Sequence, residues 1–232
     1  MDGVQQKLYR ARTLSKELRK EVLVYYGTDP GEMIELPESD PANPKFVFRE
    51  KEPPPPQLAL IAGDALQCLR SSLDYLIWEL AEAHGKKPHD RLMFPICTTP
   101  KSYKAAIDGH RLDGIGQQAI ALVDAFQPLN HAVPDGTVLA MLDSLTNVNK
   151  HRHVILTTFT GSTSEIPDGI PHIFGEATLH LPNGERVGTI PIRAVLTFKE
   201  GFAKHIEITN FFDVTAQFLT DELFPLFKRF FK

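Results

Sequence analysis

Cysteine is scarce: 232 residues contain two, Cys68 and Cys97. Their separation fits no metal-binding or redox spacing, which excludes a disulfide framework and suits a reducing cytosol. Long apolar runs are also missing. No stretch approaches the ~18 consecutive apolar residues that a membrane-spanning helix needs, and the first twenty residues, MDGVQQKLYRARTLSKELRK, have no apolar core after their charges, so no signal peptide is expected. Neither sign of charge dominates. A net charge of −4 and a pI near 6.1 give no global positive field to gather nucleic acid or anionic membrane, so any such binding must be local. The expectation is a soluble, cytoplasmic protein.

Several signatures of chemistry are missing too. The chain has no Walker loop, no G-x-G-x-x-G, no G-x-S-x-G and no Cys-His spacing of a nucleophilic enzyme. No glutamate has a histidine three residues on, which removes the ligand pairs of a di-iron bundle. His151 and His153 form an H-x-H pair, but on a helix the two side chains diverge by about 200°. No metal and no cofactor are expected. No repeat of 20 to 50 residues is found.

What is present is a core's worth of apolar residues, 42% of the chain, in an order that reads helices first and strands later. The class expected is α+β: a bundle of about four core helices, a four-stranded antiparallel sheet and a C-terminal covering helix, in a single domain over 1–232. Residues 1–56 supply an N-terminal amphipathic helix (Val4, Leu8, Ala11, Ser15, Leu18, Val22 and Tyr25 inward), a hairpin from Met33 to Leu36 and Lys45 to Glu50, and a polyproline spacer. Residues 57–152 form the helical core. Its longest helix runs from Gln57 to His84, and a loop segment, Leu92 to Ile96, folds back onto it. Residues 153–232 supply strands at His153 to Thr160, Ile173 to Leu181, Val187 to Phe198 and Ala203 to Asn210, then a helix capped by Asp213 or Thr215 and kinked by Pro225. The final FPLFKRFFK reads as core closure in preference to a membrane-surface or partner-binding segment, since the sheet needs a cover.

The stretch Asp135 to Phe159 carries the candidate chemistry. At about 100° per residue, Val138, Met141, Leu142, Leu145 and Val148 share one face, and the same helix continued puts Asn149 and Arg152 on it. A buried guanidinium needs an anion, so Arg152 should face a carboxylate or a ligand. Asp74 on the long helix is the first candidate. Its neighbours Gln67, Ser71 and Trp78 share a polar face with it, Arg70 lies one turn before it, and a large aromatic among groups that favour water points to a second partner there. The candidate site is therefore Arg70, Asp74, Asn149, Lys150, His151 and Arg152. As a fastener, Asp74 accepts from Arg152 while Lys150, His151 and His153 complement the negative end of their helix. As an active site, Arg70 and Arg152 clamp a phosphate and His151 serves as general acid or base. The fastener is the favoured reading, because ion-pair networks occur widely without catalysis.

Four segments occur in order: GDALQCLRSSLDYLIWEL (Gly63 to Leu80), FPI (Phe94 to Ile96), QPL (Gln127 to Leu129) and LDSLTNVNKHR (Leu142 to Arg152). Together they resemble an uncharacterised bacterial family, common in actinobacteria, with the pattern LRSALDHLxW … FPI … QP … LxxLxNxDKHR. The resemblance covers about half the chain and implies a helical fold with no assigned activity. Asn149 stands where that pattern has an acidic residue, and Tyr75 where it has a histidine. Helical nucleases of the HEPN class offer a fold-level comparison, but no arginine here is followed by histidine after four to six residues. Two functions are carried forward: a non-enzymatic binding or scaffold protein with a structural Arg/Asp/His cluster, or a nucleotide- or RNA-directed protein, nuclease included, of a defence or toxin system. The corresponding partners are another protein, a second copy of this chain among them, or a phosphate-bearing ligand.

Overall fold

The computed structural model describes residues 1–35, 46–151, 156–162, 170–180, 186–199 and 201–231. Helix α1 (Asp2–Gly27) and helix α2 (Pro56–Ala83) pack antiparallel as the centre of the molecule. The apolar spacing read from the sequence is the buried face of α1: Val4, Leu8, Ala11, Leu18, Val22 and Tyr25 are all buried. On α2, Leu66, Leu69, Leu73, Leu76 and Ile77 are fully enclosed. Gly85 (φ +72°) terminates α2 in a left-handed turn, where the N–H of Lys86 returns to the carbonyl of Ala81 at 2.9 Å and that of Gly85 to Glu82 at 2.9 Å.

Between α1 and α2 lies an antiparallel hairpin of β1 (Gly31–Glu35) and β2 (Phe46–Glu50). After α2, the chain crosses the core as an extended segment through Phe94, then forms α3 (Pro100–Asp108), α4 (Gln117–Ala125) and α5 (Val138–His151). Leu139, Leu142 and Leu145 of α5 are buried, and α5 packs against α2.

The second sheet is smaller than expected. Among the described residues it has three antiparallel strands, and not four, in the order β3 (Leu156–Ser162), β5 (Arg186–Phe198), β4 (Ile173–His180), with β5 central. The segment expected as a fourth strand, Ala203 to Asn210, makes isolated bridges at Lys204 and Glu207 and then enters helix α6 (Ile208–Gln217). Glu207 is the reason: its Oε2 accepts from the backbone N–H of Asn210 at 2.7 Å and from Thr209 Oγ1 at 2.8 Å, starting the helix six residues before Asp213. The alternation in HIEITN that reads as a strand becomes the first buried turn of a helix, with Ile208, Phe211 and Phe212 inward.

Phe198 at the end of β5 packs edge-on against Phe211 and Phe212, with centroids 5.4 and 6.2 Å away. Tyr26 Oη accepts from the N–H of Leu196 at 2.7 Å, which ties the sheet to α1. The helix expected to kink at Pro225 widens ahead of it, in a π-helical stretch Phe218–Leu223. A proline lacks the N–H for the preceding turn and crowds its carbonyl, and a wider turn relieves both. Phe224 and Phe227 then close the core, with Phe230 and Phe231 packed against it.

Candidate functional site

Arg70 is 6% exposed on α2, between two fully buried apolar positions, Leu69 and Leu73. Every nitrogen of its guanidinium has an acceptor. Nη1 donates to Asp74 Oδ1 at 2.6 Å, Nε to Asp143 Oδ1 at 3.3 Å, and Nη2 to the carbonyl of Phe94 at 2.8 Å. The same Asp74 oxygen accepts from the N–H of Phe94 at 3.0 Å. Arginine and carboxylate one turn apart on α2 thus grip both backbone groups of one residue in the extended segment. Burial pushes the Asp74 carboxyl above the usual carboxylate range, and Arg70, the Phe94 N–H and the charge of Lys150 oppose that rise.

A second buried polar side chain continues the grip. Gln127, 1% exposed, accepts from the N–H of Cys97 at 3.1 Å and donates to the carbonyls of Pro95 at 2.9 Å and Val123 at 3.0 Å. Leu129 then donates its N–H to the carbonyl of Cys97 at 3.0 Å. The apolar Phe-Pro-Ile-Cys segment runs through the core, and these side chains meet the N–H and C=O of Phe94, the C=O of Pro95 and the N–H of Cys97. Both cysteines are free.

On α5, Asp143 Oδ2 accepts from Asn147 Nδ2 at 3.0 Å, and Asn147 Oδ1 accepts from Lys150 Nζ at 3.4 Å. This polar ladder follows the i, i+4, i+7 spacing of one helix face. Asn149 packs against Gly63 of α2 so closely that a Cβ on Gly63 would overlap its carboxamide. Of the six residues expected to converge, Arg70 and Asp74 are bonded to each other, and Asn149 of α5 packs against α2 at Gly63, seven residues before Arg70. Lys150 is exposed and tied to Asn147. Helix α5 extends through His151, whereas the His151 side chain and Arg152, with the expected Asp74–Arg152 pair, lie outside the described residues.

The sequence reading missed Asp143 and the part played by Gln127. Asp143 was legible as the first polar residue beside the Leu142 stripe, four before Asn147. Gln127 stood in the segment QPL, where no role was assigned to its side chain.

Beside the cluster, Asp74, Tyr75, Trp78 and Leu92 line an open pocket of about 450 Å³. Tyr75 and Trp78 are 43% and 40% exposed, which fits the expectation of an unusual aromatic on this face. Trp78 Nε1 donates to Glu82 Oε1 at 3.3 Å, and Lys7 of α1 sets its ammonium 5.5 Å from the centre of the Tyr75 ring. Among the described residues no three His, Cys, Asp or Glu side chains are grouped to hold a metal ion, and no helix is long and apolar enough to cross a membrane. Compared with known proteins, the chain matches no family model, no curated protein and no solved structure.

Proposed function

We propose that this chain is a non-enzymatic binding protein in which Arg70, Asp74 and Asp143 are a structural fastener, and that the adjoining aromatic pocket is the surface that meets a ligand. One observation carries the reading: Nε, Nη1 and Nη2 of Arg70 are each bonded within the protein. A phosphate at Arg70 would have to displace two carboxylates and a backbone carbonyl, leaving the N–H and C=O of Phe94 without partners in a buried segment. A cytoplasmic location goes with the proposal, supported by the two free cysteines.

The nucleotide- or RNA-directed alternative is separated by experiment. Thermal melting of the wild type with nucleoside triphosphates, short RNAs and inorganic phosphate should give no shift, and RNA should stay intact on prolonged incubation. RNA hydrolysis that vanishes in His151→Ala at unchanged melting temperature would overturn the proposal in favour of a nuclease. So would a nucleotide-dependent shift abolished by Lys150→Ala.

A further inference from the structure

The pocket beside the fastener has a composition that selects for charge. Its walls combine a carboxylate, Asp74, with two aromatic rings, Tyr75 and Trp78, and the buried Leu92. Asp74 directs Oδ1 into the fastener, where Arg70 and the N–H of Phe94 hold it, yet the side chain remains 33% exposed. A carboxylate fixed by bonds to one oxygen is a preorganised acceptor at the other. The cluster around it sets the guanidinium of Arg70, and the charge of Lys150 beyond it, against the carboxylates of Asp74 and Asp143.

The aromatic rings point the same way. A ring face attracts cations through its quadrupole, most strongly in tryptophan. The Tyr75 ring already meets the ammonium of Lys7, 5.5 Å from its centre, so cation recognition by one of the two rings is in use within the fold. The bond from Trp78 Nε1 to Glu82 holds the indole by its edge and adds a second carboxylate next to it. Among the described residues no basic side chain lines the pocket to serve an anion.

We propose that the pocket formed by Asp74, Tyr75, Trp78 and Leu92 binds a small organic cation, an alkylated ammonium whose charge meets Asp74 and whose alkyl groups lie against the rings of Tyr75 and Trp78. This inference rests on the binding-protein reading above and adds the ligand class to it. The volume, about 450 Å³, is within the ordinary range for small-molecule sites.

Trp78 is the only tryptophan in the chain, so its fluorescence reports on this pocket alone. The probe is choline, titrated against its uncharged carbon isostere, in which a tert-butyl group stands where the trimethylammonium was, with sodium chloride as the ionic-strength control. Choline should change the fluorescence saturably, and the isostere and salt should not. Asp74→Asn keeps an acceptor for Arg70 and Phe94 while removing the charge, and should weaken choline by about tenfold or more. Tyr75→Leu, outside the fastener and half exposed, should weaken it as well with melting unchanged.

Equal binding of choline and the isostere would overturn the cation assignment and keep a pocket that selects apolar shape. Lack of any saturable response to choline would overturn it too. So would choline binding that survives both substitutions in variants that melt as the wild type does. The binding-protein reading fails separately, on the RNA and nucleotide measurements described for it, so the two failures are distinguishable.

Discussion

Arg70 and Phe94 are 24 residues apart in the chain, and the guanidinium of the first holds the carbonyl of the second at 2.8 Å while Asp74, one helical turn on, takes its N–H. An unpaired segment of backbone is thereby carried through the core by a single turn of helix.

Removing the arginine should expose how much depends on that grip. Arg70→Met leaves two carboxylates facing each other and a buried carbonyl without a donor. A loss of ~3–5 kcal/mol in unfolding free energy is expected from urea denaturation. Arg70→Lys should recover only part of it, because one ammonium cannot span three divergent acceptors. Unchanged stability in Arg70→Met would remove the fastener from the account.

Gln127→Glu tests the second clamp with nearly no change of shape. The acceptor for Cys97 is kept, but the other oxygen turns on the carbonyls of Pro95 and Val123, which then lack a donor at about 1–3 kcal/mol each. Acid should partly restore the variant, since a protonated carboxyl can donate again. Urea midpoints measured across the acid range, wild type beside variant, read this directly.

Glycine to alanine inside a helix ordinarily stabilises, by about 0.5–1 kcal/mol. At Gly63 the sign should reverse, since the new Cβ meets the Asn149 carboxamide. In an Asn149→Ala background the ordinary gain should return. A double-mutant cycle without coupling between these positions would mean that α2 and α5 do not approach as closely as described.

Glu207 gives the pH prediction. It is 5% exposed, its Oε1 is buried without a hydrogen-bond partner, and burial raises its pKa above the ordinary 4.5 despite the donors on Oε2. Between 4.5 and the higher folded value, the folded chain holds a proton that the unfolded chain has released, so this group's contribution to stability falls as pH rises through that window. Glu207→Gln should flatten that part of the stability profile. Asp74 contributes with the same sign, from its ordinary 3.8 upward. Parallel profiles for wild type and Glu207→Gln would show that Glu207 titrates alike folded and unfolded.

The long helices were legible because their apolar spacing is regular over many turns: Val4 to Tyr25 and Leu58 to Leu80 are buried nearly as read. The fourth strand was misread because Ile206, Ile208 and Phe211 suit either period over so short a run, and the arbiter was a single capping side chain, Glu207, whose bonds depend on backbone that is not yet formed in a sequence reading. The candidate cluster was legible in its helices and less so in its pairing. Sequence spacing placed Arg70 and Asp74 on one face, while Asp143 and the backbone of Phe94 enter from elements whose distance in space no periodicity encodes. The segments Gly63 to Leu80, Phe94 to Ile96, Gln127 to Leu129 and Leu142 to Arg152 contribute Arg70 and Asp74, Phe94, Gln127, and Asp143 to this one region.

Helix α1 starts without a capping side chain of its own. Glu79, near the far end of α2, accepts from the N–H groups of Gly3 at 2.8 Å and Val4 at 3.3 Å. During synthesis the first turn of α1 is therefore made long before its acceptor exists, and some 75 further residues must be added before Glu79 can reach it. The first turn of α1 can be capped only once the central helix is nearly finished, so the end of one long helix is completed by its pairing with the other.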